Sequence, residues 1–271
     1  MPTTRRATAD PAELLALARG LATAAGEQLV AATTLVRRGV TTKTSSTDMV
    51  TETDRATERF LVESILTARP DDSVRGEEGA ERDGTSGVSW WIDPIDGTTN
   101  FLYGLPGFNI SVAAEIEGEA VAGVVVDPLH GDVFAATRGG GATRNDQPIA
   151  CTAATDLSTS LVATGFSYEP ERRRRQADVL THVLPAVRDI RRIGAAAVDL
   201  CSVACGRVDA YYEKGLQPWD WAAGALIATE AGALVTDLED GPTSTAFTLA
   251  APRGIHQEMG ELLRRAGAAG A

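Results

Sequence analysis

The stretch WIDPIDGTTNF, residues 91–101, sets Asp93 and Asp96 three positions apart around Pro94, with Gly97 and two threonines immediately behind. Pro94 fixes its own φ and biases Asp93 toward an extended backbone, while Gly97 admits angles that other residues avoid. The two carboxylates are therefore held in a rigid turn. The following TTNF opens a helix or turn whose unpaired N–H groups, from Gly97 onward, suit an anion. Fixed acids beside anion-seeking amides conflict unless a cation lies between them. Clustered carboxylates repel one another and take up protons. A hard divalent ion such as Mg2+ removes the conflict, because it takes oxygen ligands, keeps several waters and bridges to phosphate oxygens. Further oxygen donors stand at Glu77 and Glu78 in RGEEG and at Asp220 in PWDWAAG. Taken singly, a Glu-Glu pair reads as a solvated loop and an acid at a helix start as a cap. Their joint presence with DPIDGTTNF points to metal-assisted phosphate chemistry.

These residues need elements to carry them. VSWWI, residues 88–92, reads as a buried strand delivering Asp93 to its end. ISVAAEI and AVAGVVVD, split by Glu117, Gly118 and Glu119, form a hairpin, with VFAAT a further strand. Asp10, Pro11 and Glu13 have the form of a cap, first-turn proline and capping-box acid before a helix that runs to about Arg37. Thr51 and Asp54 make a second capping box, ahead of a helix that Pro70 stops. Between the two helices, RRGVTTKTSSTD is a polar loop with one lysine, Lys43, placed to close over something. From about residue 150 strand-like and helical segments alternate, as in an α/β layer arrangement. The division falls near GGGATRNDQ, giving an amino-terminal α+β part, 1–150, and a carboxyl-terminal α/β part, 151–271.

With 271 residues, 44% of them hydrophobic, the chain is long enough to bury a full core. Its 37 acids against 25 bases give a net charge of -12, which argues against a nucleic-acid or anionic-membrane surface. Cys151, Cys201 and Cys205 are too few for a disulfide framework, so a reducing compartment, the cytoplasm, is expected. No export signal or spanning segment is legible.

GEE, WIDPIDGTTNF and WDWAAGALIATEAGA, in this order and spacing, closely resemble the inositol monophosphatase family of Mg2+-dependent phosphatases. KTSSTDMVTETD and IRRIGAAAVDLCSVACGRVDAYYEKGLQPWD are similar to the family's loop and core, so the likeness covers the chain from about residue 12. It implies a layered αβαβα sandwich, an α/β fold, with one active site where the two parts meet. It implies two or three Mg2+ ions, bound by the side chains of Glu77, Asp93, Asp96 and Asp220 and by the Ile95 carbonyl. Gly97 and Thr98 would hold phosphate through their N–H groups. Glu77, Thr98 and Asp54 would do the catalytic work, the last two by positioning the attacking water. Lys43 would sit on a mobile loop near the metals. Gly194, Ala196 and Glu213 would line the pocket for the substrate's alcohol part, and a homodimer is implied as well. The expected reaction is hydrolysis of myo-inositol monophosphate by a metal-activated water. Fructose 1,6-bisphosphate, histidinol phosphate and adenosine 3′,5′-bisphosphate are the alternative esters, and a regulatory or binding protein on the same scaffold is the alternative of another class. The second threonine of DPIDGTT favours the inositol branch.

Other chemistries have no scaffold. His130, His182 and His256 are scattered and no G-x-S-x-G occurs, which leaves Ser or Cys nucleophiles unsupported. GGGATR lacks the Lys-Ser/Thr of a P-loop. Cys201 and Cys205 share a helix face without further ligands and read as core residues, and RRRR at 172–175 reads as the solvated start of a helix.

Overall fold

The computed structural model describes residues 9–32, 41–42 and 49–271. In chain order the first elements are α1 (Pro11–Ala32), the short strands β1 (Thr41–Thr42) and β2 (Met49–Val50), α2 (Glu52–Ala68), β3 (Ser73–Gly76), β4 (Glu81–Arg82), β5 (Val88–Asp96) and α3 (Thr98–Tyr103). Then come β6 (Asn109–Ile116), β7 (Glu119–Asp127), β8 (Asp132–Thr137), β9 (Gly141–Arg144) and β10 (Gln147–Pro148). The remainder comprises β11 (Leu161–Thr164), α4 (Pro170–Val183), β12 (Asp189–Arg191), α5 (Ala196–Ala204), β13 (Ala210–Glu213), α6 (Pro218–Glu230), β14 (Leu234–Thr236), β15 (Thr248–Ala251) and α7 (Arg253–Arg265).

Strands β3 to β10 form one eight-stranded sheet in the order β10-β9-β8-β7-β6-β5-β3-β4. Its pairs are antiparallel except β3 with β5. The second sheet, β12-β11-β13-β15-β14, is parallel through β12, β11 and β13 and antiparallel beyond. The last strand of the first sheet ends at Pro148 and the first of the second begins at Leu161.

Side-chain alternation stacks these sheets into layers. Trp90, Ile92, Ile110, Val112 and Val124 face the apolar stripes of α1 and α2, including Leu14, Ala18, Leu29, Leu61 and Ile65. The opposite face of the same sheet, with Ala113, Val125 and Phe134, meets α5 and α6. Those two helices also cover Ala163, Tyr211 and Ala250 of the second sheet. The second sheet's other face packs Val162, Tyr212, Leu249 and Ala251 against Val179 and Val183 of α4 and Ile255, Met259 and Leu263 of α7. The order is helix, sheet, helix, sheet, helix, the expected sandwich. It explains why α5 and α6 are apolar nearly all round, whereas α7, covered on one side, is strongly amphipathic.

Candidate active site

β5 pairs with β6 so that Asp93 stands opposite Ser111 and Asp96 opposite Asn109. Three residue steps on one strand match two on the other, a bulge that Pro94 and Ile95 accommodate at the strand's end. Here the strand extends past the expected apolar run to include both aspartates. Oδ1 of Asp93 accepts the Ile95 N–H at 3.0 Å, and the Ile95 carbonyl accepts the Thr98 hydroxyl at 3.0 Å. Gly97 then caps α3 at φ 87°, ψ 36°. Any side chain would be strained at that φ, and a Cβ would stand 2.6 Å from the Gly107 carbonyl. Phe101 meets Phe108 edge to face with ring centroids 5.2 Å apart, fixing α3 to the sheet.

Behind this turn lies α2. Its capping box is formed as expected: the Asp54 N–H donates to the Thr51 hydroxyl at 3.0 Å, and the Thr51 N–H donates to Asp54 Oδ2 at 2.9 Å. That pairing aims Oδ1, on a fully buried carboxyl, at the Thr98 hydroxyl 3.2 Å away. Asp54 therefore has a capping role and a role at the turn together.

Asp96 joins the two parts of the chain. Its oxygens accept the N–H of Ala196 at 3.2 Å and of Ala197 at 2.8 Å, the first turn of α5, and the Asn109 amide at 2.9 Å. Ala195 has no side chain able to cap α5. The cap is thus supplied from a strand 100 residues away. Nearby, the Asn100 amide spans the Gly107 and Ile193 carbonyls at 2.7 and 2.8 Å, tying α3 to the segment before α5. Asp220 lies in the first turn of α6, where one oxygen accepts the Gln217 N–H at 2.7 Å. Glu213 ends β13 and accepts the Tyr211 hydroxyl at 2.7 Å.

Glu77, Asp93, Ile95, Asp96, Gly97, Thr98, Gly194, Ala196, Glu213 and Asp220 all line one cavity of about 130 Å3. Every residue expected at the site converges there except two: Asp54, which reaches it through Thr98, and Lys43, which lies outside the described residues. Among the described residues no group of three or more His, Cys, Asp or Glu side chains stands, as placed, so as to hold a metal ion. Instead, the acids ring the space. Burial, and then the charges of Glu77, Asp96 and Asp220, push the Asp93 carboxyl well above its ordinary range. Burial, then Glu77, does the same to Asp220. Burial raises Asp96 to about 6 against the opposing pull of Asn109 and the α5 amides, and raises Glu213 to about 7. Crowded buried carboxyls of this kind favour protons or a polyvalent cation.

Some lining residues carried no signal in the sequence. Arg192 is the single cation among the described residues on the wall; its guanidinium lies against Gly194, and among the described residues no hydrogen bond or ion pair holds it. Its charge favours ionised Glu213. Tyr168 closes another side. Arg192 stands two positions before Gly194, and that proximity was its only mark. The three cysteines are free thiols, Cys201 buried in the core. His130 pairs with Asp127 at 2.7 Å, away from the acids.

A model of the inositol monophosphatase family matches residues 10–268. The chain belongs to that family. Inositol-1-monophosphatase of Mycobacterium leprae is 45% identical over 94% of this chain and 95% of its own. A Pasteurella multocida protein named Nus factor SuhB is 40% identical over 82% and 85%. Among solved structures, the extragenic suppressor protein suhB of Bartonella henselae superposes with a TM-score of 0.89 at 36% identity, over 93% of this chain and 99% of that one. Membership makes the protein a phosphatase, a hydrolase of phosphoric monoesters, in a family that is generally Mg2+-dependent. The donor set fits such an ion: it is all oxygen, rigid at Asp93 and Asp96, and electrostatically costly without a cation. No described helix is long and apolar enough to cross a membrane.

Proposed function

We propose that the protein hydrolyses myo-inositol monophosphate to myo-inositol and phosphate, with two or three Mg2+ ions held by Glu77, Asp93, Asp96, Asp220 and the Ile95 carbonyl. The observation that carries this reading is the convergence of those acids and the Thr98–Asp54 pair on one cavity. Bound there, Mg2+ supplies Lewis acidity and lowers the pKa of water. The chain's own groups do the positioning. Gly97 and Thr98 offer N–H groups at the start of α3 to the phosphoryl oxygens. The Thr98 hydroxyl, backed by Asp54, is placed to hold the attacking water and pass its proton toward the Asp54 carboxylate. Glu77, which lines the same cavity, is a second oxygen partner for that water.

On the leaving-group side, Glu213 accepts ring hydroxyls, with Gly194 and Ala196 as the floor. Arg192, which lines the same cavity, adds donors. Arg192→Ala is expected to raise KM for the inositol ester about tenfold, the loss of one charge-assisted contact, with kcat within about twofold. Steady-state kinetics check this, and an unchanged KM removes Arg192 from recognition.

The deciding experiment is phosphate release from myo-inositol 1-phosphate, fructose 1,6-bisphosphate, histidinol phosphate, adenosine 3′,5′-bisphosphate and glycerol 2-phosphate, each with Mg2+ and with EDTA. Mg2+-dependent preference for the inositol ester is expected. A different preferred ester keeps the chemistry and replaces the substrate. The same reading places the protein in the cytoplasm, to which its free thiols are suited, and as a homodimer, which light scattering tests.

The name of the Pasteurella relative favours a second reading, a partner-binding role on the same scaffold. It predicts that partner capture survives Asp220→Asn, a change that stops turnover.

A further inference from the structure

α2 carries two buried acids one turn apart. Asp54, the first, serves the Thr98 turn. The second, Glu58, is 6% exposed and lies outside the cavity, on the far side of the segment that carries Glu77. One of its oxygens accepts the N–H of Glu78 at 2.8 Å, and the other accepts the N–H of Ala80 at 3.0 Å. The segment so held is a tight turn. The Gly76 N–H donates to the Ala80 carbonyl at 2.8 Å, the Gly79 N–H donates to the Gly76 carbonyl at 3.3 Å, and Gly79 sits at φ 106°. Gly76 is a glycine for a steric reason: a Cβ there would overlap the Glu58 carboxylate. On its other side the turn is pinned by the Glu77 N–H, which donates to the Ile92 carbonyl of β5 at 3.2 Å.

From this geometry we propose that Glu58 is a positioning residue for Glu77, setting where that carboxylate enters the metal site. The inference rests on the metal role of Glu77 in the proposed function. Glu77 sits one residue past the end of β3, and its N–H bond to Ile92 is the last step of the ladder between β3 and β5. Two bonds from one carboxylate, whose own helix is locked by Leu61 and Ile65 in the core, hold the turn where that ladder stops. A carboxylate is the group required. Both partners are N–H donors, and an amide in its place would turn its own NH2 against one of them. One helix thus fixes both edges of the site, the Thr98 hydroxyl through Asp54 and the Glu77 turn through Glu58. Groups that orient a ligand without touching the ion typically change metal affinity by 10–100-fold when altered.

The test uses the purified full chain, stripped of metal, and titrates Mg2+ and Mn2+ calorimetrically into wild type, Glu58→Gln, Glu58→Asp and Leu61→Ala. Leu61→Ala is the control for a destabilised α2, since Leu61 is fully buried in the core on the same helix and its side chain has no hydrogen-bonding group to offer the Glu77 turn. Glu58→Gln is expected to weaken metal binding at least about tenfold, and Glu58→Asp, which keeps two acceptors, to weaken it less. Leu61→Ala is expected to lower the melting temperature with metal affinity unchanged. In turnover, Glu58→Gln is expected to need about tenfold more Mg2+ for half-maximal rate while keeping kcat at saturating Mg2+ within about threefold. Wild-type metal affinity in both Glu58 variants overturns the proposal whatever their stability. So does an equal loss of affinity in Leu61→Ala. If the wild type itself binds no divalent ion, the metal-site reading fails and takes this inference with it.

Discussion

Asp96→Asn is expected to lower phosphate release about a thousandfold while leaving the metal-free Tm within a few degrees of wild type. The first effect follows from the cavity: Asp96 is one of the five acids that line it, and an amide neither carries the charge nor offers two oxygens to a hard cation. The second follows from what the sequence did not show, that Asp96 caps α5. Its Oδ1 accepts from Ala196, and its Oδ2 accepts from both Ala197 and Asn109. All three partners are donors. Whichever way the asparagine amide turns, its NH2 faces at least one of them, and a buried donor left unpaired costs about 1–3 kcal/mol. Relief of the buried charge opposes that cost by a similar amount, about 3 kcal/mol at neutral pH, because burial has already raised the Asp96 carboxyl to about 6. The two nearly cancel in metal-free protein, and a remainder of about 1 kcal/mol corresponds to about 2–4 °C in Tm for a chain of this size. Calorimetric melting in EDTA and turnover in saturating Mg2+ check the two parts separately. Near-wild-type turnover would remove Asp96 from the metal site, and a metal-free Tm lowered well beyond that range would mean that the lost cap outweighs the relieved charge.

The acids themselves were legible because their chemistry is local: Pro94 and Gly97 restrict the backbone beside them, and Thr51 and Asp54 announce a helix start at fixed spacing. Elements with strong period or punctuation, α1, α2, β5 to β8, α5 and α6, could be placed from composition alone. What remained hidden depends on distant pairing. β3 and β4 are short and polar, and they exist because β5 offers an edge. β15 and α7 close the second sheet and cover its outer face, and TLAA is strand only because β13 and β14 flank it. That sheet turns antiparallel at β15, which alternation of strands and helices does not foretell. Glu58, four positions after Asp54, shares its helix face, but nothing in its spacing shows a glycine turn arriving against it from twenty residues away. Arg192 is similar, an arginine in a basic stretch until the fold lays it against Gly194. The motif states which atoms do chemistry; the layers decide what holds them.

Removing the metal should make the protein less stable as pH rises, and restoring it should reverse the trend. Asp93, Asp96, Asp220 and Glu213 all titrate higher in the folded protein than in the open chain, in each case first because of burial. The folded state therefore holds more protons than the unfolded one above pH 4. Stability from these groups is fully present below the unfolded value, about 3.9 for Asp, and is lost as pH rises through the folded values. For Asp96 the window runs from there to about 6 and amounts to about 3 kcal/mol; Glu213 extends it to about 7. Exposed acids drawn down by arginines, such as Asp146, Glu171 and Asp189, shift in the opposite direction. His256, lowered by burial, acts in the opposite sense as a single group. A divalent ion needs the carboxylates ionised, so its stabilisation grows over the same interval in which the metal-free protein weakens. Melting curves at pH 5.5 and 8.0, each in EDTA and in excess Mg2+, are expected to show a lower metal-free Tm at pH 8.0 and a larger gain from Mg2+ there. The difference between loaded and stripped protein cancels His256 and every other group that the ion does not touch. If Mg2+ gives the same gain at both pH values, the ion is not displacing protons from these carboxyls, and the metal site must be sought elsewhere on the chain.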